Sequence, residues 1–309
     1  MNTPLFPTLN FTATTGERAL VLGGGGSTGN AWLIGVIAGL FDTGLDVTAA
    51  DLTIGTSAGA TAAAQIAGSS PTELFAAIVE AVAQHRPGAV GTDRASVPTR
   101  PVADQLERLR EIIASADDVT DLRRRIAAAA LEREGESDGS WQARWRTTVA
   151  SRLHSQRWPE RALLITAVDA HTGQPVVFDR HSGVELADAV AASCAGGGVP
   201  YRVGGHPYLD GGYRANAENA DLAVGYERVL VLSPLGGRTL HPPHWRTELA
   251  VQVDELRAHG SRVETVIPDR GAEHLFGANA MDPSLRPAAA RAGYDQGRAL
   301  ADQLGELWS

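Results

Sequence analysis

The chain has 309 residues, 43% of them hydrophobic, and a formal net charge of −9 at pH 7, a size and composition that suit one large α/β domain or two small ones. Its acidic balance lacks the basic surface that nucleic-acid partners need. The single cysteine, Cys194, excludes an internal disulfide and any multi-cysteine metal centre.

Residues 1–17 read as a polar N-terminal arm. They hold no basic start followed by an apolar run, and no run of about 18 apolar residues occurs anywhere, so the expectation is a soluble, cytoplasmic chain that touches a membrane at most peripherally. Residues 18–22 form the first expected strand and run directly into Gly23-Gly24-Gly25-Gly26-Ser27-Thr28-Gly29. A helix follows, with Leu33, Val36, Ile37, Leu40 and Phe41 at helical spacing and Gly44 as its stop signal. Residues 51–54 read as a second short strand and 60–67 as an alanine-rich helix. Between them lies Gly55-Thr56-Ser57-Ala58-Gly59, which sets a serine on a sharp strand-to-helix turn beside a helix N-terminus, where free N–H groups favour developing negative charge. A turn of small residues that only packs a helix on a sheet has the same pattern.

Residues 84–160 differ in character: long helical patterns rich in Arg and Glu, broken at 134–140, predict a helical insertion. Strands resume at 163–168, with 175–178 as a hairpin partner across His171-Thr172-Gly173, and again at 229–232 and 263–267. Helices are expected at 184–194, 245–259 and 285–307. The sum is an α/β protein with a mainly parallel sheet.

The glycine run has two readings. Gly24, Gly26 and Gly29 fit a phosphate-cradling G-x-G-x-x-G, yet the second strand ends in Gly55 and the serine turn, where a dinucleotide fold needs a ribose-binding acid. Alternatively, backbone N–H groups of Gly24, Gly25 and Gly26 converge as an oxyanion hole on the oxygen that gains charge when Ser57 attacks an ester carbonyl. The most suggestive base is Asp210 in Tyr208-Leu209-Asp210-Gly211-Gly212-Tyr213, although an aspartate before glycine is also a common turn residue.

These three motifs, in this order, resemble the patatin-like phospholipase family. The supporting positions are Ser27, Thr28 and Gly29 in the loop, Gly55 and Gly59 around Ser57, Gly211 and Gly212 after Asp210, then Asn216; the likeness covers about residues 18–234, the insertion excepted. It implies a three-layer α/β/α fold and a lipid acyl hydrolase with a Ser57–Asp210 dyad that needs neither metal nor organic cofactor. Asp210 takes the serine proton, and water releases the acyl group. Two departures stand out. Thr28 and Gly23 replace an arginine and an aspartate common in that loop, which lowers the charge near the oxyanion. Gly196-Gly197-Gly198-Val199-Pro200 stands where bulkier apolar residues are usual, which alters the acyl pocket.

Rival readings are a Ser-His-Asp triad drawing on His241, His244, His259 or His274, a nucleotide-binding module, an acyltransferase and a silent binding protein of the same fold. Histidines with no carboxylate at ligand spacing argue against a metal site. Trp141 and Trp145, with Arg144, Arg146, Arg152, Arg157 and Trp158 nearby, suit either a lipid-facing helix or, more simply, a packed one. Arg123-Arg124-Arg125 is offset by neighbouring acids. Cys194 reads as a small core residue.

Overall fold

The computed structural model describes residues 15–84, 102–135 and 139–309. It opens with β1 (Gly16–Leu22), α1 (Gly26–Asp42), β2 (Leu52–Gly55), α2 (Ala58–Ile66) and α3 (Pro71–Gln84). β1 starts inside the stretch expected to be an arm, because Asp51 Oδ2 accepts the N–H groups of Glu17 and Arg18 and ties the strand start down. Residues 1–14 lie outside the described residues. α4 (Val102–Ser115), α5 (Val119–Glu134) and α6 (Ser140–Ser151) follow; then come β3 (Ala162–Asp169), β4 (Pro175–Phe178), α7 (Leu186–Ser193), β5 (Tyr201–Val203), β6 (His206–Asp210), β7 (Tyr226–Leu232), α8 (Leu249–Ala258), β8 (Arg262–Val266) and α9 (Arg286–Trp308).

Eight strands form one mixed sheet, hydrogen-bonded along β5-β6-β3-β2-β1-β7-β8 with β4 also on β3. β1, β2, β7, β8 and the first half of β3 run parallel. Their side chains alternate between two cores, as strands buried on both faces must. Leu20, Leu22, Ile165, Leu230 and Leu232 meet α1, α2, α7 and α9 on one face; Ala19, Val21, Ile54, Val229 and Val231 meet α8 and Leu222 on the other. The arrangement is a three-layer α/β/α fold. α1 is buried from Thr28 to Leu40, which explains why its sequence is apolar all round. α8 starts four residues later than the spacing predicts, since Pro242 and Pro243 place Trp245 in a 3₁₀ turn that ends on Arg246 at φ 54°.

The tryptophans of α6 face inward. Trp141 is buried edge-on to Tyr201, and the Trp145 indole N–H donates to the Ala191 carbonyl at 3.1 Å. Arg146 pairs with Asp188 at 3.0 Å and with Glu185. α6 therefore docks on α7, and the packed-helix reading holds over the lipid-facing one. Among the described residues no helix is long and apolar enough to cross a membrane.

The register of β3 builds the site. β2 pairs with β3 up to Gly55 opposite Ile165, and β6 pairs antiparallel with it from Asp210 opposite Ala167. β4 pairs with both Ile165 and Ala167 from the other side. β2 and β6 therefore share one edge of β3 and meet end to end, with only Thr166 between them.

Candidate active site

Ser57 occupies the junction of β2 and α2 at φ 52° and ψ −113°, a backbone conformation that costs a non-glycine residue about 1–3 kcal/mol and persists only when its surroundings enforce it. The surroundings are tight. A Cβ at Gly59 would lie 1.9 Å from the Leu22 carbonyl oxygen, and one at Gly55 would lie 2.6 Å from Ala60 Cα. α7 holds the serine backbone on both sides: Ser57 N–H donates to Ser193 Oγ at 2.9 Å, and Cys194 Sγ donates to the Ser57 carbonyl at 3.1 Å. Burial pushes the Cys194 thiol up to about 12, so it stays a neutral donor.

Ser57 Oγ donates to Asp210 Oδ2 at 2.8 Å, and Gly212 N–H donates to Asp210 Oδ1 at 2.8 Å. Burial raises the Asp210 carboxyl to about 6, against the lowering effect of these two bonds. Beneath the pair, Thr56 Oγ1 and Thr166 Oγ1 lie 2.9 Å apart, and the Asn219 side-chain amide donates to Thr56 Oγ1 at 3.0 Å and to the Gly211 carbonyl at 3.0 Å. Gly211 must be glycine, as its Cβ would meet Thr166 Oγ1 at 2.1 Å. This buried network locks the elbow to the Asp210 turn across the notch in β3. Thr166, Ser193 and Asn219 were not singled out in the sequence, because each acts only through a tertiary contact.

The glycine loop lies against the serine: a Cβ on Gly24 would be 3.6 Å from Ser57 Cβ. Gly24 N–H is already committed to the Ala217 carbonyl at 2.8 Å, so of the three expected donors only Gly25 and Gly26 have N–H groups without a partner among the described residues, and Ala58 N–H joins them. Asn216 shapes the irregular segment that faces this loop, its Oδ1 accepting from Glu218 and Asn219 N–H and its amide donating to the Thr247 carbonyl. Thr28 is anchored by N–H donation to the Ala280 carbonyl at 3.0 Å, and Gly29 fits against Pro234. The sequence left the loop without a cation, yet α9 supplies one. Arg286 donates to the Ser27 carbonyl at 2.7 Å and to Asn30 Oδ1 at 3.1 Å. These partners are neutral oxygens; burial lowers the guanidinium to about 10, which leaves it charged at neutral pH.

Among the described residues no histidine hydrogen-bonds Ser57 or Asp210. His241 hydrogen-bonds Thr247 Oγ1 at 2.9 Å, with burial pushing it down to about 4, while His244 lies against Trp245 and His259 bonds the Glu255 carbonyl. One cleft of about 410 Å³, lined by Arg123, Arg214 and Trp245, includes neither Ser57 nor Asp210. A smaller one of about 60 Å³ is closer to the chemistry. Leu109, Ile112, Ile126, Ala129 and Ala130 line it with Arg108 and Arg133, and it reaches Gly196 and Tyr213. Gly196 passes so close to Asp210 that a Cβ there would sit 3.1 Å from Oδ2.

An α/β/α fold that presents a strained serine hydrogen-bonded to an aspartate, beneath a glycine loop with free N–H groups, defines a class of hydrolase-like sites. The chain belongs to the patatin-like phospholipase family, whose sequence model matches residues 20–223, and with it to a group of lipid acyl hydrolases. No curated protein matches the chain. Among solved structures it is similar to VipD from Legionella pneumophila, at 14% identity and a TM-score of 0.44 over 94% of this chain and 68% of that one.

Proposed function

We propose that the protein hydrolyses a carboxylic ester of a lipid through an acyl-Ser57 intermediate, with Asp210 as general base. The observation that carries this reading is the 2.8 Å hydrogen bond from Ser57 Oγ to Asp210 Oδ2. As Oγ attacks the carbonyl carbon, its proton passes to Asp210; the tetrahedral oxyanion is met by the Gly25 and Gly26 N–H groups, and the protonated Asp210 then gives the proton to the leaving alcohol. In the second half Asp210 takes a proton from water, hydroxide attacks the acyl carbon, and Ser57 leaves with the proton returned. Each N–H donor of this kind is worth about 3 kcal/mol to the transition state. The cleft beside Gly196, whose walls include Leu109, Ile112 and Ile126, receives the carbonyl end of the acyl chain.

Fluorophosphonate labelling and ester turnover test the reading. Ser57→Ala abolishes both, while Asp210→Asn keeps the fold and lowers kcat by about 10²–10⁴. Labelling that persists in Ser57→Ala removes Ser57 as nucleophile. Full turnover in Asp210→Asn removes the dyad.

A further inference from the structure

We propose that Asp169, His171 and His206 form a binding site for a divalent transition-metal ion of the zinc class. The three residues are distant in sequence and adjacent in the fold. β3 ends at Asp169, where the chain turns through His171 into β4, and β6 begins at His206 and runs back along β3 with Tyr208 opposite Asp169. One donor atom from each residue lies within 4.8 Å of the other two. His206 Nε2 is 2.7 Å from Asp169 Oδ2, and the rings of His171 and His206 stand 4.9 Å apart at 86°.

The donor set of two imidazoles and one carboxylate suits zinc, nickel or copper, whereas magnesium and calcium take oxygen ligands. A tetrahedral ion bound at about 2.0–2.2 Å holds its ligands roughly 3.3 Å apart. His206 and Asp169 therefore open slightly from their hydrogen bond, and the exposed His171 swings in by side-chain rotation. The carboxylate is already oriented: Asp169 Oδ1 accepts the N–H groups of His171 at 2.8 Å and Thr172 at 2.9 Å, which leaves Oδ2 facing His206. Solvent reaches the fourth position, since the His206 side chain is 43% exposed.

Asp210 lies four residues further along β6, about 13 Å from His206 at strand spacing, so the ion acts away from Ser57. It clamps the β3–β4 turn to the start of the strand that carries Asp210. Its effect falls on the stability and register of β6.

Chelator-treated full chain titrated with zinc chloride, followed by calorimetry and thermal unfolding, tests the site. Wild type takes up one zinc ion with a rise in Tm that EDTA reverses. His171→Ala and His206→Ala, each checked for an unchanged circular dichroism spectrum, weaken zinc at least tenfold as expected for loss of one ligand of three, and His244→Ala leaves it unchanged. Cobalt loaded in place of zinc gives a visible d–d band that His206→Ala removes. Absence of zinc uptake, survival of tight binding in either ligand variant, or its loss in His244→Ala overturns the proposal.

Discussion

Asp210 carries a carboxyl whose ionisation the fold opposes and the proposed reaction requires. Removal from water raises it from 3.8 to about 6, and the two donated hydrogen bonds offset only part of that rise. A base must be deprotonated, so kcat/KM is expected to climb with pH through about 6 and to level above it, as a profile between pH 4 and 9 will report. Stability moves the other way. A carboxyl whose folded pKa lies above its unfolded value favours the fold while protonated, and that contribution is lost as pH rises from about 4 through 6. Asp210→Asn, which cannot ionise, therefore raises Tm by a few degrees at pH 8 and leaves it nearly unchanged at pH 4, a difference that scanning calorimetry resolves. Equal shifts at both pH values would detach the effect from ionisation. The strained Ser57 backbone belongs to the same pattern of local cost supported by neighbours, here Ser193, Cys194 and the glycines on either side.

At the scale of elements, the acyl-binding part of the proposal rests on α4 and α5. Their facing residues Ile112, Ile126 and Ala130 line the small cleft that runs to Gly196. Ala130→Val takes up much of a space of about 60 Å³, so turnover of esters with longer acyl chains drops while the shortest esters keep near wild-type kcat/KM; a uniform loss across chain lengths would move the acyl chain elsewhere. The elements differ in how plainly the sequence announces them. β1, β3 and β7 are buried on both faces, so the second halves of β1 and β7 read as apolar runs and β3 as one interrupted only by Thr166, and the elbow reads from two glycines that close contacts demand. β5 and β6 are too short, and in β6 too polar, to give such a run, although Gly204 at φ 58° and Gly205 at φ 87° form a two-residue hairpin turn that the Gly-Gly pair signals. The meeting of β2 and β6 at Thr166 depends on the antiparallel return along β3, and no local pattern encodes it. Ser193, Asn219 and the cluster of Asp169 with His206 stayed hidden for the same reason.

The whole molecule bears on the site through its last helix. α9 lies along α1 at a crossing where neither can carry side chains: a Cβ on Gly293 would come within 2.3 Å of the Trp32 carbonyl oxygen, and one on Gly35 within 2.1 Å of the Ala290 carbonyl oxygen. That close approach fixes the start of α9 over the start of α1 and sets Arg286 on the Ser27 carbonyl, well beyond the region 20–223 that matches the family. The glycine loop thus regains from the C-terminal helix the positive charge that Thr28 does not provide. The half-buried guanidinium, hydrogen-bonded to neutral oxygens and with Arg152 as a neighbouring cation, adds positive charge to the loop beside Ser57. Arg286→Met keeps the bulk and removes the charge. The expected result is a fall in kcat of about ten- to a hundredfold with KM little changed, smaller than the loss of a direct oxyanion donor because Arg286 acts through the loop. Arg286→Lys, which retains the charge without the forked hydrogen bonds, should recover part of kcat. A methionine variant with wild-type kcat but lowered Tm would confine Arg286 to joining α9 to α1, and the field at the oxyanion would then come from the loop N–H groups alone.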